Sequence, residues 1–115
     1  MRQLKQKDIA TVRLELIEEQ HGICPLCEEV INDPVLDHSH KKDEGWVRGT
    51  ICRLCNLYLS RIENQRSRYH MQDDRKLSIF LNNVVDYINI KTDMIHPTHG
   101  KVKKRSKKVS PKLSK

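Results

Sequence analysis

Two Cys-x-x-Cys pairs, Cys24-Pro25-Leu26-Cys27 and Cys52-Arg53-Leu54-Cys55, stand 24 residues apart in a chain of 115. No other feature limits the possible folds as tightly. Two residues between ligands let a tight knuckle turn both thiolates toward one point, and four thiolates complete the tetrahedral shell of Zn²⁺. The gap holds a hairpin, and the second pair opens a helical pattern whose N-terminal amides favour thiolates. Four thiolates leave no position for substrate, so the zinc is expected to be structural. One rival reading is a Cys-Pro-x-Cys redox centre, but its usual βαβ setting is missing here. The other is two unrelated pairs of buried cysteines.

A metal also answers a shortage in the composition. Aromatic residues make up only 4% of the chain and hydrophobic residues 37%, and small domains with thin cores need a metal, disulfides or a partner subunit. Met1 to Gln20 is charged throughout and has no apolar signal segment, and no run reaches membrane-spanning length. The expected setting is intracellular and reducing, which disfavours disulfides, with no membrane partner. The net charge is +7 but unevenly placed: residues 101–115 carry eight Lys or Arg and no acid, leaving 14 basic against 15 acidic residues in 1–100. Such a tail favours polyanions, nucleic acid first, although a solvated solubility tail has the same composition. The expected organisation is one domain over residues 1–95 and a basic, disordered tail over 96–115.

Ile9, Val12, Leu16 and Ile17 predict a helix over 8–20, with Asp8 as its cap and Gly22 ending it. Asn32-Asp33-Pro34 is a turn signal. Val35 to His40 and Trp46 to Ile51 predict a hairpin across the polar loop 41–45. Beyond Arg53, the residues Leu54, Leu57, Tyr58 and Ile62 form an apolar stripe; Arg61 falls within it, its stem packing and its head reaching out. Residues 64–74 read as a loop. Leu77, Phe80, Leu81, Val84, Val85 and Ile88 mark a last helix started by Asp73 or Asp74. Trp46 and Tyr58 are expected to pack around the zinc.

Between the cysteine pairs lies Asp37-His38-Ser39-His40, and Asn56 directly follows Cys55. Carboxylate and amide oxygens suit a hard cation such as Mg²⁺ or Mn²⁺, and two protein ligands leave sites for phosphate oxygens and water. A neutral imidazole beside them takes a proton from water near neutral pH. Together these serve phosphodiester hydrolysis. Strand alternation works against the set, however. It places His38 and His40 on one face and Asp37 and Ser39 on the other, so the strand must end or bulge near them. Isolated surface histidines and aspartates are ordinarily just solvated. Ligation of zinc by His38 or His40 is the other alternative, weakened because four cysteines already fill that shell.

From His21 to Glu63 the chain resembles the phage recombination endonuclease VII family of HNH nucleases, which have a ββα-metal fold. The matching stretches are His21-Gly22-Ile23-Cys24-Pro25-Leu26-Cys27, Asp37-His38-Ser39-His40 and Val47-Arg48-Gly49-Thr50-Ile51-Cys52-Arg53-Leu54-Cys55-Asn56. The resemblance implies Asp37 and Asn56 as ligands of a catalytic Mg²⁺, His38 as general base and His40 as a supporting histidine. It implies Cys24, Cys27, Cys52 and Cys55 around zinc, and branched DNA such as Holliday junctions as substrate for dimeric members. A phage-encoded member would work in the host cytoplasm. The family pattern allows a glutamate three residues after the asparagine. Leu59 stands there in this chain, and Glu63, on the same helix face as Asn56, is a candidate to take its place.

Arg48, Arg53 and Arg61 are candidates for clamping phosphates beside the scissile bond, Arg48 foremost; a solvated surface charge is the plain alternative for each. The expected fold is α+β: a zinc-stapled, treble-clef-like ββα-metal core with flanking N- and C-terminal helices. The expected function is a Mg²⁺- or Mn²⁺-dependent DNA endonuclease acting on branched DNA, with a homodimer possible. A site-specific or homing-type nicking enzyme shares that chemistry. A non-catalytic zinc module binding nucleic acid through its tail does not.

Overall fold

The computed structural model describes residues 2–41 and 43–98. The chain is a small α+β protein. A 3₁₀ turn, Gln6–Asp8, leads into α1 (Ile9–Glu19); β1 (Pro34–His38) and β2 (Val47–Cys52) follow, then α2 (Arg53–Gln65) and α3 (Asp74–Ile88). Two compact units divide between Asp73 and Asp74. Among the described residues no helix is long and apolar enough to cross a membrane. The basic stretch 101–115 lies outside the described residues.

The expected apolar positions of α1 are half-buried while Leu14 faces out. Asp8 does not cap the helix through its side chain: its carboxylate accepts the Lys5 backbone N–H at 2.9 Å instead. The C-terminus closes one residue before Gly22. His21 has φ 59°, its N–H bonds the Glu18 carbonyl at 3.0 Å, and the Gly22 N–H bonds the Ile17 carbonyl at 2.8 Å. This paired arrangement is a Schellman closure with histidine at the left-handed position and glycine just beyond it. It reverses the chain into the first cysteine knuckle.

β1 and β2 form a two-stranded antiparallel sheet, with Leu36 opposite Thr50 and Val35 opposite Ile51. Thr50 and Ile51 point to opposite faces. The Thr50 hydroxyl donates to the Arg13 carbonyl of α1 at 2.9 Å, whereas Ile51 packs with Leu59 of α2. The sheet therefore has α1 against one face and α2 against the other. The Gln20 side chain ties α1 to the sheet by copying a strand: its Nε2 donates to the Thr50 carbonyl at 2.8 Å and its Oε1 accepts the Thr50 N–H at 2.9 Å.

Among the described residues the buried apolar core is small, consisting of Cys24, Ile51 and Cys52, with Ile31, Cys55 and Leu59 packed around it. This departs from the expected stripe on α2. Leu54, Leu57 and Tyr58 are 75%, 51% and 72% exposed. The rotational phase of α2 is set by Cys55, which must face the other cysteines, and Leu59 follows one turn later on the same side. Trp46, 49% exposed, likewise does not pack into the cysteine core, nor does Tyr58.

In the second unit, α3 covers the predicted apolar row within a residue or two of the expected bounds. Leu77 and Val84 are half-buried, while Phe80, Leu81, Val85 and Ile88 are exposed.

Candidate nuclease and metal site

Cys24 and Cys27 sit on a knuckle that the backbone closes twice. The Glu28 N–H bonds the Cys24 carbonyl at 2.8 Å, and the Cys24 N–H bonds the Glu29 carbonyl at 2.8 Å. Cys52 ends β2, and Cys55 lies in the first turn of α2. All four sulfurs lie within 4.8 Å of one another, and none is in a disulfide. A tetrahedron with ~2.3 Å Zn–S bonds has edges of about 3.8 Å; the Cys27 to Cys52 sulfur distance is 3.9 Å. The Asn32 N–H reaches the Cys52 sulfur at 3.3 Å, the kind of donor that steadies a bound thiolate. Among the described residues this is the one group of His, Cys, Asp or Glu placed to hold an ion by three or more side chains.

The thiols differ in acidity. Burial works to raise Cys24, but the backbone N–H groups of Cys27, Cys52 and Leu26 outweigh it and bring it down to about 6. Burial and the neighbouring Cys27 and Cys24 push Cys55 up to about 12. One thiolate forms readily and further negative charge is opposed, a frustration that a divalent cation relieves.

The Asp-His-Ser-His stretch lies where β1 ends. Asp37 pairs with Gly49 and His38 with Val47, so the register slips between Asp37 and His38 and leaves Arg48 as the extra residue of β2. Both the strand end and the bulge that alternation called for are present. Asp37 is buried at 5% exposure while His38 is exposed. The His38 and His40 rings meet edge to face, with centroids 4.7 Å apart. Buried Ser39 accepts the Lys41 N–H and donates to Glu44 at 2.9 Å, closing the hairpin loop rather than facing the site.

The bulge re-aims Arg48. Strict alternation would place it on the Thr50 face, away from Asp37. Its Nε and Nη2 instead donate to the two Asp37 oxygens at 2.8 and 3.2 Å, and its Nη1 and Nη2 donate to the two Glu63 oxygens at 2.7 and 3.2 Å. Glu63 Oε1 also lies 3.7 Å from His40 Nδ1. These bonds hold Arg48 protonated well above its ordinary range, the Glu63 bonds contributing most and Asp37 next. Glu63 is correspondingly held below the usual carboxylate range, chiefly by Arg48.

Asp37 thus stands against Arg48 and His40 near Glu63, with His38 against His40, while Asn56 is half-buried in the first turn of α2, one residue past Cys55. Arg53 and Arg61 are exposed on α2. The double ion pair of Arg48 was not legible in the sequence beforehand. The faint signals were Glu63 seven residues after Asn56 on one helix face, and Arg48 beside a glycine. A cleft walled by Pro25, Leu26, Gly49, Ile51 and Leu59 opens next to Asp37 and Arg48.

Carboxylate and amide oxygens are the donor type that a hard cation takes. A carboxylate offers about four lone-pair sites, and Arg48 takes two of those on Asp37. Compared with known families, residues 1–90 match the model described as recombination endonuclease VII. None of the curated proteins compared with the chain matches it at a significant level.

Proposed function

Because the chain belongs to the recombination endonuclease VII family, and so is a DNA endonuclease of recombination acting on branched DNA, we propose that it is a metal-dependent enzyme hydrolysing phosphodiesters at four-way junctions. The observation that carries the reading is the bulge at Asp37 and His38, where Arg48 links a buried carboxylate to a glutamate that lies 3.7 Å from His40, itself in ring contact with His38. In this reading the four cysteines hold a structural Zn²⁺, while Asp37 and Asn56 hold Mg²⁺ or Mn²⁺. The catalytic ion, when bound, neutralises charge on the phosphoryl oxygens and on the departing 3′ oxygen. His38 takes the proton from the attacking water as its oxygen bonds to phosphorus and the bond to the 3′ oxygen breaks; the departing 3′ oxygen takes a proton from solvent, leaving a 5′ phosphate and a 3′ hydroxyl. His40, in edge contact with it, supports its orientation. Exposed Arg53 and Arg61 contact flanking phosphates, and Arg48 adds its one uncommitted N–H. The basic segment past residue 95 adds further phosphate contacts.

Junction resolution requires two coordinated cuts, so the reading includes a homodimer. The exposed apolar residues Leu54, Leu57 and Tyr58 on α2, and Phe80 and Val85 on α3, support it, since apolar faces of this kind mark contact surfaces. The test is cleavage of a four-way junction against linear duplex of the same sequence, with Mg²⁺ or Mn²⁺. Junction cleavage that is lost in His38→Ala supports the reading. No cleavage of any DNA with either ion, together with DNA binding that survives loss of Asp37, His38 and Asn56, would point to a non-catalytic zinc module.

A further inference from the structure

We infer that Glu63 is a positioning residue of the nuclease site, acting through Arg48 on the Asp37 carboxylate and directly on His40. This deepens the nuclease reading and rests on it. Arg48 spends four of its five N–H groups on two carboxylates. Its Nε–Nη2 edge faces Asp37 and its Nη1–Nη2 edge faces Glu63, so one rigid plane sets the orientation of both acids. The Asp37 side chain is only 6% exposed, so solvent has little access to orient it in place of the guanidinium. Glu63 is anchored independently of the sheet, on α2, three turns into a helix whose phase Cys55 sets. The cluster therefore passes the rigidity of the cysteine core to Asp37 along a second route, separate from the β1 backbone.

Charge argues in the same direction. Asp37 and Arg48 alone would cancel, and a neutral pair attracts a divalent cation poorly. Glu63 restores a net negative charge beside Asp37, and its Oε1 lies 3.7 Å from His40 Nδ1. A helix-to-strand strap with no bearing on chemistry would need only one of these contacts. The chain instead joins a buried acid, a guanidinium, a second acid and a histidine in sequence.

The test uses the full-length, zinc-loaded protein and Glu63→Gln, Glu63→Asp and Arg48→Lys. Junction cleavage is resolved into kcat and KM, and Mn²⁺ binding is followed by electron paramagnetic resonance without DNA. Loss of outer-shell partners of this kind costs about 10- to 100-fold in activity or metal affinity. Glu63→Gln is expected to lose kcat and Mn²⁺ affinity in that range, with KM within about threefold, and Glu63→Asp to recover part of both. Arg48→Lys, which keeps the charge but not the fork, is expected to lower kcat as well. A structural strap would lower thermal stability and leave Mn²⁺ affinity unmoved, so that result overturns the inference. Should Glu63→Gln fail to fold, unchanged kcat and Mn²⁺ affinity in Glu63→Asp and Arg48→Lys overturn it equally. Wild-type protein that cuts no DNA removes the nuclease reading and the inference with it; wild-type protein that cuts while Glu63→Gln matches it removes the inference alone.

Discussion

Single side chains here do work that backbone does elsewhere. Gln20 pairs with both the N–H and the carbonyl of Thr50, which is itself fully buried. Gln20→Ala leaves both groups unpaired, and each buried unsatisfied group costs about 1–3 kcal/mol, a loss measurable by denaturant titration of the zinc-loaded protein. A methyl on Gly49 would meet Gln20 Oε1 at 3.0 Å, so Gly49→Ala should disturb the same contact. His38 has the most direct chemical role. Removing a general base costs about 10²- to 10⁴-fold in rate, so His38→Ala should cut junctions that much more slowly with DNA binding little changed. Glu63 gives the acid response. Its carboxyl is depressed in the folded chain, so its contribution is complete above the unfolded pKa of ~4.3 and is lost as pH falls through the lower folded value. Glu63→Gln should therefore flatten the loss of stability below about pH 4.3.

At the scale of elements, the cysteines govern how β2 and α2 meet. Cys52 is the last residue of β2 and Cys55 lies in the first turn of α2, so one ion would clamp the strand-to-helix junction to the knuckle after α1. Chelation is expected to unfold residues 2–73 cooperatively, because the buried core holds little beyond Ile51 and the cysteines themselves. Circular dichroism during a chelator titration checks this. With Cys24 near 6 and Cys55 near 12, the metal must displace protons at neutral pH. Raising the pH makes that displacement easier, so Zn²⁺ affinity of the stripped protein should rise between about pH 6 and 8. Competition against a chromophoric chelator reads it out.

At the scale of the whole molecule, the apolar surface is the open account. Phe80 and Val85 on α3 are 53% and 64% exposed, and Leu54 on α2 is 75% exposed. If two copies associate through such faces, Val85→Asp or Leu54→Asp should lower the mass measured by light scattering toward one chain. Coordinated cutting should then fall more than single-strand nicking. Mass independent of either substitution, and equal to one chain in the wild type, would exclude the dimer.

Short-range chemistry left clear marks in the sequence. The doubled Cys-x-x-Cys spacing declared the four-sulfur cluster, because ligand geometry permits few separations. The hairpin and the helices α1 and α3 were readable from turn residues and apolar period. The need for a break in β1 was also readable, because alternation alone separates Asp37 from His38. What the tertiary structure decided depends on contacts between residues far apart in the chain. Arg48 lies 11 residues from Asp37 and 15 from Glu63, and only the slip at the bulge turns its guanidinium toward both. The phase of α2 followed the same logic: apolar period pointed Leu54, Leu57 and Tyr58 inward, but the geometry of four sulfurs holds Cys55 inward and turns those residues out. A local pattern records what a segment prefers, and a cluster that draws on four points of the chain overrules that preference.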